Sequence, residues 1–132
     1  MSRNLYQDAL PAKIYRFETH VDSRGNLSVI DFSKFPVNFV RLFVLEASSP
    51  GSSRGKHAHK ECWLFVYPSS NGISLEIRNT RVQEIFILEP GMGILIPPYN
   101  WTEVIFETHI AKLNVLASHI YDPNDYIYPS PG

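Results

Sequence analysis

The chain has 132 residues, of which 44% are hydrophobic and 19% are charged, and its formal net charge is −1. This composition is typical of one globular domain over residues 1–132, and it excludes a disordered chain and gives no indication of a nucleic acid or membrane partner. The single cysteine, Cys62, excludes an intrachain disulfide and a zinc–thiolate cluster, and the lack of a membrane span or signal-peptide core predicts a cytoplasmic protein.

Short runs rich in Val, Ile, Phe, Leu and Tyr recur between Gly, Pro, Ser and Asn residues, whereas helical periodicity is scarce. Ser70-Asn71-Gly72 and Asn79-Thr80 are typical of hairpin turns, and Gly72 stands where a positive φ is needed. About nine short strands at near-regular spacing predict an all-β antiparallel sandwich or jelly-roll barrel. In chain order the predicted strands are Lys13–Glu18, Gly25–Asp31, Phe39–Glu46, Lys56–Tyr67, Ile73–Arg78, Arg81–Leu88, Met92–Ile96, Trp101–Phe106 and Ala111–Ala117.

The run Trp63-Leu64-Phe65-Val66-Tyr67 is apolar on both faces. A surface strand of a monomeric sandwich alternates apolar and polar residues, so this strand needs a second cover. Either it is central and covered on both sides by its own chain, or its outer face packs against a second subunit. We expect the second arrangement, and therefore a homodimer.

The segment Arg54-Gly55-Lys56-His57-Ala58-His59-Lys60 carries the strongest functional signal in the chain. Because side chains on a strand alternate faces, His57 and His59 are expected on one face, about 6.5 Å apart along the strand. Two imidazoles that titrate near neutral pH suit either metal ligation or proton transfer.

Two spacings around the histidines are similar to those of the cupin superfamily. Gly51, five residues and then His57-Ala58-His59 match the opening of the first cupin motif, and Gly91, five residues and then Pro97 match the opening of the second. The resemblance implies a cupin double-stranded β-helix, that is, an antiparallel jelly-roll barrel.

The same resemblance bears on a metal. Metal-binding cupins add a Glu three or four residues after the second His, where this chain has Trp63 or Leu64, and a third His where it has Thr102. Catalytic metal sites usually have three protein ligands, and only two remain here. We therefore expect no metal and no cofactor, and we interpret the histidine pair as an acid–base site.

The chain as a whole resembles the WxcM-like nucleotide-sugar 3,4-ketoisomerases, which act on dTDP-4-keto-6-deoxyglucose in the synthesis of unusual deoxysugars. The run from Arg54 to Lys60 is close to the signature R-G-x-H-A-H-K of that family. The supporting segments are Asp22–Leu27 (D-x-R-G-x-L), Arg41–Phe43, Pro97–Trp101 (P-P-x-x-W), Ala117-Ser118, Tyr121-Asp122 and Asp125–Ile127.

The resemblance implies a cofactor-independent 3,4-ketoisomerase whose substrate is a dTDP-linked 4-keto-6-deoxyhexose and whose product serves surface polysaccharide synthesis. Such a reaction needs groups that act as base and acid in turn, and cations for the substrate's anionic groups. The candidate site residues are His57 and His59 for proton transfer, Arg24, Arg41 and Arg54 for the diphosphate, Arg54 and Lys60 as cations beside the imidazoles, and Trp101 as a wall of the pocket.

The chain departs from the family at three positions, where Leu64 replaces a usual Gln, Thr102 a frequent His, and Phe43 a Tyr. Three alternatives therefore stay open: a 3,5-epimerase acting on the same substrate, a non-catalytic nucleotide-sugar-binding cupin, and, least favoured, a metal-dependent oxygenase. The sequence does not determine the configuration at C4 of the product, which histidine is the base, or the identity of the nucleotide base.

Overall fold

The computed structural model describes residues 5–131, and nearly all of their regular structure is β. No α-helix occurs in this range, only three short 3-10 turns, and no helix in it is long and apolar enough to cross a membrane. The turns are Leu5–Asp8, Phe32–Lys34 and Pro123–Asp125. The strands are β1 (Lys13–Arg16), β2 (Glu18–Asp22), β3 (Gly25–Val29), β4 (Arg41–Glu46), β5 (Ser52–His59), β6 (Leu64–Pro68), β7 (Ile73–Arg78), β8 (Gln83–Leu88), β9 (Met92–Ile96), β10 (Trp101–Phe106), β11 (Lys112–Ala117) and β12 (Tyr126–Ile127).

Ten of these strands form two five-stranded sheets, in the orders β1-β9-β6-β11-β4 and β12-β5-β10-β7-β8. All of their pairings are antiparallel. Apolar side chains from both sheets, such as Leu75, Ile94 and Leu113, form one buried cluster. The prediction of an all-β jelly-roll barrel is confirmed. The two remaining strands, β2 and β3, pair only with each other as an exposed hairpin.

The predicted strand Lys56–Tyr67 is wrong, because the structure divides it between β5 and β6 in opposite sheets. The chain crosses between the sheets at residues 60–63, and Asp125 accepts the backbone N–H groups of Glu61 and Cys62 there. Apolar content continues across this crossing, so periodicity alone does not reveal it.

The two predicted turns have different outcomes. Asn79-Thr80 lies in the β7–β8 hairpin, as predicted, with Arg78 paired to Gln83. Ser70-Asn71-Gly72 is not a hairpin turn, because it joins β6 in one sheet to β7 in the other. Gly72 does adopt the expected positive φ, at 87°.

The outer face of β6 is covered by aromatic residues of the same chain. Phe65 is fully buried, with the rings of Phe32, Phe35 and Tyr15 at centroid distances of 5.7, 5.3 and 6.1 Å. The ring of Phe65 also lies so close over Gly93 that a Cβ there would be 2.2 Å from it. Of the two covers considered for this strand, the chain's own is therefore the correct one, and this face gives no support for a second subunit.

Candidate active site

A cavity of about 310 Å³ opens inside the barrel between the two sheets. Apolar residues of both sheets, including Leu75 and Leu113, form its buried end. The ionisable side chains in its wall are few, and among the described residues none of them is a carboxylate or a thiol. They are Arg41, Arg54, His57, His59 and Tyr126.

The two histidines lie on one face of β5 and both line this cavity, as the strand alternation predicted. Their ring centroids are 5.1 Å apart and their planes are nearly perpendicular, at 89°. Ala58 between them faces the other way, into a small buried cluster with Tyr6 and Ile127. The alternation therefore gives one strand a reactive face and a structural face.

A β-bulge in β5 brings Arg54 to the same cavity. His57 lies opposite Thr102 in β10 and Gly55 lies opposite the next residue, Glu103, so Lys56 is an extra residue in the ladder. The extra residue has φ 60° and Gly55 has φ 95°, both in the left-handed region. Because the bulge absorbs one residue, Arg54 takes the inward position next to His57, although the two are three apart in sequence.

His59 is buried and is oriented by a carboxylate. Its Nδ1 lies 3.0 Å from Oδ2 of Asp125, whose two oxygens also accept the N–H groups of Glu61 and Cys62. An ionised carboxylate only accepts hydrogen bonds, so Nδ1 carries the proton and Nε2 keeps the basic lone pair. Burial lowers the pKa of His59, and Asp125 opposes that shift through its hydrogen bond and its charge.

His57 has a more strongly lowered pKa, of about 4, because of burial and, second, the neighbouring His59. Its Nδ1 is buried and has no hydrogen-bond partner within residues 5–131. Both imidazoles are therefore neutral at pH 7, which is the form that can accept a proton.

Tyr126 is a site residue to which the sequence reasoning gave no role. It pairs with His59 across β12 and β5, and its ring centroid lies 4.5 Å from each imidazole. Burial raises the pKa of its hydroxyl, so the phenol stays protonated at neutral pH. Asp125 was likewise missed as a functional residue, although both residues stand in the segment Asp125–Ile127 that carried the family resemblance. That resemblance was the signal available for both.

The seven predicted site residues are not all brought together. Arg41, Arg54, His57 and His59 line the cavity, whereas Arg24, Lys60 and Trp101 do not. Lys60 follows the end of β5, is exposed, and donates its backbone N–H to the carbonyl oxygen of Asp125.

Trp101 was predicted to form a wall of the pocket, but it does not line the cavity. Its neighbour on β10, Thr102, is the residue that faces the cavity. The indole packs on the opposite side of the sheet with Tyr6 and Ala58, and its Nε1 donates to the carbonyl oxygen of Tyr128 at 3.1 Å. It is thus a buried packing residue in the described chain.

Arg24 lies in the turn of the β2–β3 hairpin, away from the cavity. Its side chain is 88% exposed and is paired with Asp22, with Nη2 2.7 Å from Oδ2. Asp22 also accepts the backbone N–H of Arg24, a local turn contact. Within one chain, this arginine does not reach the histidines.

The three positions where the chain departs from the family, Phe43, Leu64 and Thr102, all line the cavity. Two of them are apolar, and the hydroxyl of Thr102 lies 3.5 Å from the carbonyl oxygen of its neighbour His57. The departures therefore change the wall around the histidines and leave the histidines themselves in place.

The side chains present do not form a suitable metal centre in the cavity. Its described lining offers two imidazoles and no carboxylate or thiolate, fewer than the three ligands that usually hold a catalytic metal. Donor atoms of His59, Cys62 and Asp125 do lie within 4.8 Å of one another. The carboxylate in that group is already engaged by His59 Nδ1 and two backbone N–H groups, which is a hydrogen-bond network rather than an open ligand set.

Comparison with known proteins gives a consistent result. Residues 11–130 match the family model described as FdtA: WxcM-like, C-terminal. The chain is similar to a TDP-4-oxo-6-deoxy-alpha-D-glucose-3,4-oxoisomerase of Aneurinibacillus thermoaerophilus, with 33% identity over 118 residues, 87% of this chain and 84% of that protein.

Two solved structures are similar over most of their length. The WlaRB TDP-quinovose 3,4-ketoisomerase of Campylobacter jejuni superposes with a TM-score of 0.81 at 28% identity, covering 89% of this chain and 92% of its own. QdtA, a sugar 3,4-ketoisomerase of Thermoanaerobacterium thermosaccharolyticum in complex with TDP, gives a TM-score of 0.81 at 25% identity, covering 89% and 88%.

Proposed function

The chain belongs to the FdtA-type, WxcM-like C-terminal family, and from this premise we propose that it is a cytoplasmic nucleotide-sugar 3,4-ketoisomerase. Its substrate is dTDP-4-keto-6-deoxyglucose or a close dTDP-4-keto-6-deoxyhexose, and its product is the 3-keto sugar. We propose further that this product enters the synthesis of deoxysugars for surface polysaccharide.

One observation carries the proposal: two neutral imidazoles face the same cavity, and one of them is held by a carboxylate that does not itself line that cavity. Moving a ketone between adjacent carbons requires a proton to leave one carbon and another to arrive at the next. Neutral imidazole is suited to both steps near pH 7, and no oxidant or reductant is consumed.

The reaction balances with these side chains alone. Nε2 of His59 takes the proton from C3, the C3–H electron pair forms the C3=C4 bond, and the π pair of the C4 carbonyl moves to its oxygen. The C3=C4 electron pair then takes the proton of the His59 imidazolium at C4 as C3=O forms, and the proton of the C3 hydroxyl passes through the neutral imidazole of His57 to the oxygen at C4. The imidazole of His57 lies 5.1 Å from that of His59 between ring centroids, and it is the second group in the cavity that can take up and return a proton near neutral pH.

Proton NMR of the purified protein with dTDP-4-keto-6-deoxyglucose in heavy water tests the proposal. We expect the C3 proton signal to disappear and a 3-keto product carrying deuterium at C4 to accumulate. Deuterium entering C3 and C5 without movement of the ketone would identify the alternative 3,5-epimerase. Binding of TDP with no exchange at any carbon would identify a non-catalytic binding protein.

We also propose a homodimer, supported by apolar side chains that the single chain leaves exposed. Leu42 and Val44 lie on the edge strand β4 and are 55% and 49% exposed, and the hairpin exposes Val21, Leu27 and Val29. Exposed apolar groups of this kind mark association surfaces. Because Arg24 lies in the same hairpin, its predicted contact with the diphosphate is possible only across a subunit boundary.

Size-exclusion chromatography with light scattering measures the mass of the protein in solution and thus tests the homodimer. We expect a mass of twice the chain's 15.1 kDa, and a monomer for Leu27→Asp. Ile120→Asp is a matched control, since Ile120 is 76% exposed but lies outside both β4 and the hairpin. A wild-type protein that elutes as a monomer at micromolar concentration would refute the homodimer.

A further inference from the structure

The guanidinium of Arg41 lies beside the histidine pair. Arg41 is the first residue of β4 and points into the cavity on the same side as Phe43. The charge of the guanidinium acts on both Tyr126 and His59. Since the Tyr126 ring packs against both imidazoles, Arg41, Tyr126 and the histidine pair share one part of the cavity.

Within residues 5–131, Arg41 has no anionic partner. Its Nε is buried without a hydrogen-bond partner, and no carboxylate of residues 5–131 forms an ion pair with it. The groups around it are the rings of Phe43 and Tyr121, with centroids 5.1 and 5.9 Å from Cζ. Partial burial of a cation without an anionic partner costs free energy in the ligand-free protein. The same cation can pair with an anion that enters the cavity.

The second arginine of the cavity, Arg54, lies closer to solvent than Arg41. Arg54 is exposed, whereas Arg41 is half-buried and adjoins the tyrosine that covers the imidazoles. The substrate also has two anionic regions at different places. The diphosphate is attached at C1, which is opposite C4 in the six-membered ring, and negative charge develops during the reaction on the oxygens at C3 and C4.

We infer that Arg41 binds the oxygen that becomes negatively charged when the C3 proton is removed, and that Arg54 is the arginine for the diphosphate. The inference rests on the proposed function, and it changes the role that the sequence suggested for Arg41. If the imidazoles act at the C3–C4 part of the sugar, then a cation beside them faces the C4 oxygen. The diphosphate at C1 then extends toward the exposed end of the cavity, where Arg54 lies. Arg41 donates N–H groups to this oxygen as the C4 carbonyl pair moves onto it.

Two measurements on the variants Arg41→Met and Arg54→Met separate this inference from the sequence-based one. The first is the dissociation constant of TDP, which carries the diphosphate and no sugar, by isothermal titration calorimetry. The second is kcat for ketone transfer, from the NMR assay above. For Arg41→Met we expect TDP affinity within about twofold of the wild type and a fall in kcat of about 100-fold or more, the size seen when one oxyanion donor is removed. For Arg54→Met we expect TDP affinity to fall at least about tenfold with a smaller change in kcat.

A tenfold loss of TDP affinity in Arg41→Met with kcat unchanged would overturn the inference, because it would return Arg41 to the diphosphate. Arg41→Lys guards against misfolding: it keeps the charge and is expected to recover part of kcat, whereas no recovery in a variant with an unchanged melting temperature would contradict a role in charge stabilisation. Failure of the proposed function has a different signature, namely absence of ketone transfer in the wild type.

Discussion

Asp125→Asn removes the carboxylate that orients His59, and it should affect the base more than the fold. In the wild type the Asp125 side chain is only 12% exposed and accepts three hydrogen bonds, from His59 Nδ1 at 3.0 Å and from the N–H groups of Glu61 and Cys62 at 2.8 and 3.2 Å. Asparagine has one acceptor oxygen, so it keeps the bond to Glu61 and places its NH2 group against His59 and Cys62. The His59 imidazole accepts a hydrogen bond from this NH2 group only when its own proton moves from Nδ1 to Nε2. The proton then occupies the lone pair of Nε2 that the reaction needs as the base.

The expected magnitudes follow from these bonds. Loss of the bond from the Cys62 N–H to a charged acceptor should lower the free energy of unfolding by about 1.5–3 kcal/mol. Removal of a group that orients a functional histidine should lower kcat by about 10- to 100-fold. The hydrogen bond and the charge of Asp125 both raise the pKa of His59, so their removal lowers that pKa further. The acid limb of the kcat/KM profile should therefore move to lower pH, even as the plateau falls.

The assay is the NMR rate of ketone transfer between pH 5 and 8, together with urea unfolding. Asp122→Asn is the matched control, because Asp122 accepts the backbone N–H of Asn124 in the same turn but does not contact His59. Equal losses of kcat in both variants would show that only the turn matters. An unshifted acid limb in Asp125→Asn would refute the electrostatic reasoning.

Four further outcomes are expected. The pKa of His57 is about 4 in the folded protein, below its ordinary value of 6.5, so the unfolded chain binds this proton first. Stability should therefore fall as pH drops from 6.5 to 4, by up to about 2 kcal/mol once solvent screening of this partly exposed side chain is allowed for, and His57→Asn should flatten that slope in urea titrations. Lys56→Gly should raise the free energy of unfolding by about 0.5–1 kcal/mol with kcat unchanged, because φ 60° suits glycine. Little is lost with the side chain, since its ion pair with Glu103 is long, at 3.9 Å, and the Lys56 side chain is 62% exposed. Gly93→Ala should destabilise the protein by at least about 1–3 kcal/mol in the same assay, because its Cβ meets the Phe65 ring. Dialysis against a chelator should leave ketone transfer unchanged; a loss restored by a divalent ion would contradict a metal-independent reaction.

The parts of the fold that the sequence predicts best are those in which local pattern and tertiary position agree. Ile73–Arg78, Met92–Ile96 and Trp101–Phe106 match β7, β9 and β10 residue for residue, because turn residues bound each apolar run. The shared face of His57 and His59 follows from strand alternation, which the bulge interrupts only before them.

The features that were missed depend on contacts between distant segments. The cover of β6 comes from rings 26 to 50 residues earlier in the chain, such as Phe39 and Tyr15, and an apolar strand cannot indicate whether its own chain or another covers it. The orienting role of Asp125 depends on a pairing of β12 with β5 over 66 residues. Trp101 was misplaced because a motif gives the residue type but not the direction in which the side chain points.

The extra residue in β5 also determines how the length of this strand can change. Deleting one residue from a strand normally turns every side chain on one side of the cut to the opposite face. At Lys56 the opposite holds, since Gly55 and His57 already oppose consecutive residues of β10. A chain without Lys56 would keep the ladder in register with Arg54 and both histidines facing inward. Among homologous sequences, position 56 is therefore the place in this strand where a one-residue gap is compatible with an intact active site.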